Sequence, residues 1–198
     1  MARYDYVIIG AGSAGCVLAG RLSEDPECRV LLLEAGPSDK KMEVRTPAAF
    51  PKLFGTERDW GYRTVPQPGL DGRDEYWPRG RMLGGSSSMN AQMYVRGNPA
   101  DYDDWAAMGN DGWGWDDVLP RFRRSERWIG GSSDLRGADG PLHVQRQRDP
   151  SPLTLAGVAA AEQWGLTRID DVNGPSQEGV ALSHVTQRDG RRWSAADA

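Results

Sequence analysis

The sequence predicts an α/β fold that opens on a strand–helix–strand unit, and three observations carry the prediction. Val7-Ile8-Ile9 is a short β-branched run closed by Gly10, the pattern of a fully buried strand. From Ser13 the apolar residues Ala14, Val17, Leu18 and Leu22 recur at helical spacing until Asp25-Pro26 closes the segment. Arg29-Val30-Leu31-Leu32-Leu33-Glu34 is a second buried run, ended by Ala35-Gly36-Pro37. Two strands and a helix in so few residues require a crossover, so the strands are expected to be parallel and the connection right-handed.

The remaining elements are taken in chain order. Residues 37–79 carry Pro37, Pro47, Pro51, Pro66, Pro68 and Pro78 without clear periodicity, which predicts a long excursion with short strands near Tyr62 to Val65. Asn98-Pro99 opens a helix: a cap, a proline at the first position, and Asp101, Asp103 and Asp104 at the positive end, with Gly109 after it. Trp115, Val118, Leu119 and Phe122 form another apolar stripe, in which Pro120 is expected to introduce a kink. Residues 130–140 read as a flexible polar connection. Ser151-Pro152 caps a helix whose Leu153, Ala156, Ala160 and Trp164 share a face, and Gly165 stops it. Val180 to Gln187 alternates as one strand before a turn at Asp189-Gly190. Trp105, Trp113, Trp115 and Trp128 read as core, and Asp170-Asp171 as turn residues. The motifs divide the chain into residues 1–36, 37–79, 80–145 and 146–198.

Composition bounds the function. At 198 residues the chain suits one domain or two small ones. The net charge of −4 argues against a nucleic-acid partner held by bulk electrostatics, and no apolar stretch approaches a membrane span. Cys16 and Cys28 are too few for a disulfide framework and too far apart for a CxxC pair, so a reducing, cytoplasmic setting is the expectation. The acidic residues suggest no metal site. Gly is abundant, 25 residues, with no collagen-like period, so the glycines have to be read where they cluster.

The first cluster, Gly10-Ala11-Gly12-Ser13-Ala14-Gly15, matches G-x-G-x-x-G in the context that pattern requires. A buried strand precedes it, an amphipathic helix comes after, and an acid, Glu34, ends the next strand. Gly10 permits the tight turn, Gly12 keeps a side chain away from a pyrophosphate, and Gly15 allows close helix–strand packing. The helix N-terminus offers unpaired N–H groups to phosphate, and Glu34 can accept hydrogen bonds from an adenosine ribose. Its charge disfavours a 2′-phosphate. NAD and FAD both carry ADP, so the cluster leaves these two open.

The second cluster, Arg79-Gly80-Arg81-Met82-Leu83-Gly84-Gly85-Ser86-Ser87-Ser88-Met89-Asn90, sets a double glycine before three hydroxyls and an amide. Such a loop exposes backbone N–H groups and short donors to a phosphate or ribityl chain, although a serine-rich structural loop fits the residues as well. The stretch from Gly80 to Asp103, with Gly84-Gly85-Ser86-Ser87, Asn90, Tyr94 and Arg96-Gly97, resembles the first signature of the glucose-methanol-choline oxidoreductase family. Tyr6 to Gly15, Leu33-Glu34-Ala35-Gly36, Asp59-Trp60-Gly61-Tyr62, Pro66-Gln67, Gly140-Pro141-Leu142 and Gly190-Arg191-Arg192-Trp193-Ser194 match it too. The chain is most similar to the choline-dehydrogenase-like branch.

The resemblance implies an α/β fold: a Rossmann-like FAD-binding βαβ start plus part of an α+β substrate domain, incomplete at this length. It implies an FAD-dependent alcohol dehydrogenase or oxidase that passes hydride to flavin N5 from a small-molecule alcohol. Gly10, Gly12, Ser13, Ala14 and Gly15 would lie at the pyrophosphate, and Glu34 and Ala35 at the adenosine ribose. Trp60 and Arg81 would lie near the dinucleotide, and Gly84, Gly85, Ser86, Asn90, Ala91 and Met93 along the ribityl and isoalloxazine. Relatives that bind flavin covalently use a His before the Asn; here Met89 stands there, so the FAD is expected to be non-covalent. The family's catalytic base is a histidine near its C-terminus. His143 and His184 match no such motif and read as structural, with a site-lining role for His184 as the lesser alternative. No catalytic residue is therefore expected in this chain, which reads as an N-terminal portion. A non-catalytic FAD- or ADP-binding fragment is the competing reading, and an NAD-dependent dehydrogenase is disfavoured because the second loop has no task there. A βαβ start without further strands is expected to leave a sheet edge and an apolar face uncovered.

Overall fold

A computed structural model describes residues 3–198. The chain forms two compact units, residues 1–92 with 189–198, and residues 93–188. These cuts reflect contacts, whereas the four sequence segments reflect motifs, and the two divisions do not coincide.

The first unit opens as the sequence predicts, with β1 (Tyr6–Ile9), α1 (Ser13–Leu22) and β2 (Val30–Leu33). The two strands run parallel with Tyr6 opposite Val30 and Ile9 opposite Leu33. One expectation is corrected: the strands are not fully buried. Ile9 is 86% exposed and Val7 56%, and Val17 and Leu18 of α1 are exposed as well. The reason is the sheet's size, because β1 and β2 pair only with each other among the described residues and one helix covers at most one face. The uncovered edge and apolar face are thus present.

The excursion carries more structure than its lack of periodicity suggested. A short helix, α2 (Met42–Arg45), leads into a 3-10 turn at Pro47–Leu53, and β3 (Tyr62–Arg63) pairs antiparallel with β4 (Tyr76–Trp77). Prolines at the start of and inside the 3-10 segment suit its missing N–H donors. Val44, Leu53, Met82 and Met89 form the buried apolar cluster of this unit, so the second glycine segment is bracketed by two core methionines.

The second unit is α+β. It contains β5 (Met93–Tyr94), α3 (Pro99–Ala107), α4 (Trp115–Ser125), β6 (Glu126–Trp128), β7 (Leu142–Val144), α5 (Pro152–Gln163), β8 (His184–Val185) and β9 (Gln187–Arg188). β5 pairs antiparallel with β8, and β6 parallel with β7. Asn98 caps α3 through a capping box, its Oδ1 accepting from Ala100 N while Asp101 accepts from Asn98 N, worth about 1 kcal/mol. Asp103 accepts from Trp115 N and so fixes the start of α4. Ser151 caps α5 through Thr154 N. α4 continues through Pro120 as one element. The predicted strand from Val180 to Gln187 breaks into two short pieces, because Val180 bridges to Arg168 while Val185 bridges to Gln145. Of the four tryptophans read as core, Trp128 alone is buried; Trp105 and Trp113 are about half exposed and edge-packed on each other.

The supposedly flexible connection at residues 130–140 instead delivers Arg136, 4% exposed, into a buried ion cluster. Glu126, fully buried, accepts from Arg96 Nη2 at 2.6 Å, from Arg136 Nε and Nη2, and from Gly137 N at 3.1 Å. Arg136 Nη1 also donates to Asp171, so Asp171 does more than turn the chain. Two cations face two carboxylates, and burial opposes Arg136's charge less than Glu126 and Asp171 support it. His184 stacks on Trp128 at 4.2 Å, with Nδ1 3.2 Å from Arg136 Nη1 and 3.3 Å from Asp171. Burial pushes the His184 imidazole below its ordinary pKa; Arg136 and Arg146 push the same way, against Asp171 and Glu126.

Two substitutions test the cluster. Glu126→Gln leaves two buried guanidiniums short of their counter-charge and should cost about 3–5 kcal/mol in urea unfolding monitored by tryptophan fluorescence; a loss under about 1 kcal/mol would contradict the account. Because His184 titrates lower when folded, the unfolded chain takes up its proton first. Stability should fall as pH drops below about 6.5, the ordinary histidine value, and level off once folded His184 is protonated; a His184→Asn chain should show a shallower slope over that window.

Candidate functional site

The first unit brings the two glycine clusters together, backbone against backbone. Gly84 N donates to Ala11 O at 2.7 Å, and a Cβ built on Gly85 would stand 2.7 Å from Gly12 Cα. Gly85 also has φ of +54°, so both sterics and backbone conformation demand glycine. Within the first cluster Gly10 turns at φ +96°, and a Cβ on Gly15 would lie 1.9 Å from Gly10 O, which explains the tight strand-to-helix approach.

Gly12 is different. It has extended backbone, and a Cβ there would meet nothing within 4 Å. The chain itself therefore does not need glycine at position 12; what is preserved is open space at the start of α1. No side chain caps that helix, and its first turn holds no acid, so the N–H groups of exposed Ser13 and Ala14 face outward at its positive end.

Glu34 closes the turn from the other side. Its Oε2 accepts from Ala11 N and its Oε1 from Gly36 N, both at 2.8 Å, which ties the first cluster to the end of β2. Next to Ala35 lies Arg81, whose Nη2 donates to Ala35 O at 3.4 Å and whose guanidinium covers the Trp60 ring at 5.1 Å. Trp60 is itself stacked on Tyr62. Arg81 Nε is buried with no hydrogen-bond partner, an orphan donor of the kind a bound anion or carbonyl would satisfy. Asp59 presents Trp60 by accepting from Gly55 N, Gly61 N, Arg79 N and the Tyr76 hydroxyl. Burial opposes the Asp59 charge, but those four donors outweigh it and hold the carboxyl below its usual range.

The second loop, a 3-10 turn at Gly85–Ser88, spends most of its hydroxyls on itself. Ser88 donates to Leu83 O, and Ser87 donates to Gly84 O while accepting from Ala195 N. Ser86, exposed, accepts from Gly80 N. Of the three serines Ser86 alone is exposed, with the exposed Asn90 and Ala91 near it in sequence. Met93 is the first residue of β5, in the second unit.

Sequence reasoning missed Arg192. It is 3% exposed, and its guanidinium donates to Val44 O, Ser87 O, Asn90 O and Asn90 Oδ1, all between 2.7 and 2.9 Å. All four acceptors are neutral oxygens. Burial pulls its pKa down to about 10, with Asp197 acting the other way, so it remains a cation at neutral pH. The sequence showed only the string Gly190 to Ser194, with no hint that its second arginine reaches back to the glycine loop.

Comparison with known proteins agrees with this geometry. The GMC oxidoreductase family model matches residues 4–198. An uncharacterised GMC-type oxidoreductase of Mycobacterium tuberculosis is 54% identical over 98% of this chain and 37% of its own length. The mitochondrial choline dehydrogenase of Homo sapiens is 50% identical over 99% of this chain and 34% of its own. Among solved structures, pyridoxine 4-oxidase from Mesorbium loti superposes with a TM-score of 0.93 at 44% identity, over 99% of this chain and 39% of that one. The chain thus spans about a third of the length of the curated relatives it matches. With both glycine clusters in the expected α/β setting and the match running from residue 4 to residue 198, this chain belongs to the GMC oxidoreductase family.

Proposed function

We propose that the first unit holds FAD non-covalently, as the cofactor-binding part of an oxidoreductase acting on the CH–OH group of a small alcohol. The observation that carries this reading is the joining of two glycine segments beside an uncapped helix start, with Gly12 facing open space. The orphan donor Arg81 Nε supports the fit independently.

The N–H groups of Ser13 and Ala14, with the α1 dipole, bind and neutralise pyrophosphate charge, and Gly10, Gly12 and Gly15 let the backbone approach. Glu34 uses one acceptor site per oxygen on the turn and keeps others for ribose hydroxyls, while its charge repels a 2′-phosphate. Ala35, Trp60 and Arg81 flank the adenosine end. Gly84, Gly85, Ser86, Asn90 and Ala91 orient the flavin end, and Met93 is assigned by family resemblance alone. Met89, 2% exposed within the apolar cluster, supports non-covalent attachment because it is a core side chain in a place where a covalent link would need a nucleophile. When bound, FAD supplies the hydride acceptor, and the protein's share is position and charge. No base for the alcohol proton is assigned in this chain: His184 is 3% exposed and committed to its ion cluster, and His143 lies in β7.

The names choline dehydrogenase and pyridoxine 4-oxidase agree on an alcohol and differ on which, so the substrate class is proposed and not its identity. The free thiols of Cys16 and Cys28 support a cytoplasmic setting, and no helix among the described residues is long and apolar enough to cross a membrane. A second reading, an FAD- or ADP-binding fragment without activity of its own, is favoured by the exposed Val7, Ile9 and Leu33.

Gly12→Asp should hold or raise the melting temperature, since a Cβ there has nothing within 4 Å and an Asp at this helix start can accept from its free N–H groups, yet abolish FAD binding measured by flavin fluorescence titration. Unchanged affinity would contradict the phosphate assignment. This chain with FAD, a range of alcohols and an artificial electron acceptor should show no turnover; robust oxidation would overturn the absence of a base.

A further inference from the structure

Asn90 deepens the cofactor reading, and the role inferred for it rests on that reading. It ends the second glycine segment and is exposed. Its Oδ1 accepts from Gln92 N at 3.0 Å and from Arg192 Nη1 at 2.9 Å. Both partners are obligate donors, so turning the amide over would set an NH₂ group against two N–H groups and lose both bonds. The orientation is therefore fixed by chemistry. Arg192 cannot yield, because its other donors are held by Val44 O, Ser87 O and Asn90 O and its head is out of contact with water.

With its oxygen turned inward and doubly occupied, Asn90 has only Nδ2 to offer outward. We infer that Asn90 is a dedicated hydrogen-bond donor to an acceptor atom of FAD, and that Arg192 is the positioning residue that makes it one. This assigns a task to an arginine some 100 positions away in sequence and says which end of the Asn90 amide meets the ligand. It also accounts for a buried cation paired with carbonyls: the planar, permanently charged fork serves four oxygens at once, two of them on Asn90, and a lysine ammonium has only three N–H groups to offer.

The test is Asn90→Asp in the full chain. The substitution keeps size and both inward bonds and adds a charge opposite Arg192, so the melting temperature should hold or rise. The outward atom, however, changes from donor to anionic acceptor, and the FAD dissociation constant from flavin fluorescence should rise about tenfold or more. Arg192→Lys should also weaken FAD binding and shift the bound-flavin absorption between 350 and 500 nm, because Gln92 N alone then keeps the full hold on the Asn90 oxygen and the amide orientation loosens. If the wild-type chain binds FAD and Asn90→Asp binds it equally well or better, the donor assignment is overturned while the cofactor reading stands. If the wild-type chain binds no FAD, both fall together. Should Asn90→Asp fail to fold, the Asn90 side-chain NH₂ resonances of the isotopically labelled wild type serve instead: they should shift on FAD addition, and no shift at saturation overturns the inference.

Discussion

The structure depends on one close approach, the seating of Gly85 against Gly12 with Gly84 N bonded to Ala11 O. Gly12 and Gly85 are 73 positions apart in sequence, and each segment alone is an ordinary glycine-rich turn. Together they form a single surface with the uncapped start of α1 on one side and Ser86 and Asn90 on the other. Any side chain at position 85 would force them apart. Three anchors hold the segments in place: Glu34 ties the first turn to β2, Met82 and Met89 root the second loop in the core, and Arg192 fastens its far end.

Two ways of holding charge divide the labour between the units. In the second unit, Glu126, Arg96, Arg136 and Asp171 balance each other, the first three buried and Asp171 partly so, with His184 packed among them. Breaking one partner of such a cluster leaves an uncompensated buried charge, so its geometry is held firmly. In the first unit the donors are left unbalanced: the N-terminal N–H groups of α1, Arg81 Nε, and a buried Arg192 that meets only neutral oxygens. An unbalanced set of donors beside open space is a place for an anionic, polyoxygenated ligand.

The sequence made the local elements legible. Gly10 to Gly15 between two apolar runs specified β1, α1 and β2, because turn chemistry and periodicity act over a few residues. Asn98-Pro99 and Ser151-Pro152 announced their helices for the same reason. Burial was read less well. Val7-Ile8-Ile9 has the composition of a buried strand, yet burial depends on what packs over it, and a two-stranded sheet cannot cover both faces. The candidate site was legible as two motifs and not as an assembly. That Ser87 and Ser88 hold their own loop, that Asp171 belongs to an ion cluster, and that Arg192 orients Asn90 are long-range facts carried by side chains without spacing or period.

The central claim is that the two segments act as one ligand surface, and amide hydrogen exchange on the wild-type chain with and without FAD tests it most directly. The account predicts that FAD slows exchange at Ser13 and Ala14 and across residues 84–90 in step, with the same concentration dependence. Protection confined to the first segment, with residues 84–90 unchanged at saturation, would contradict it.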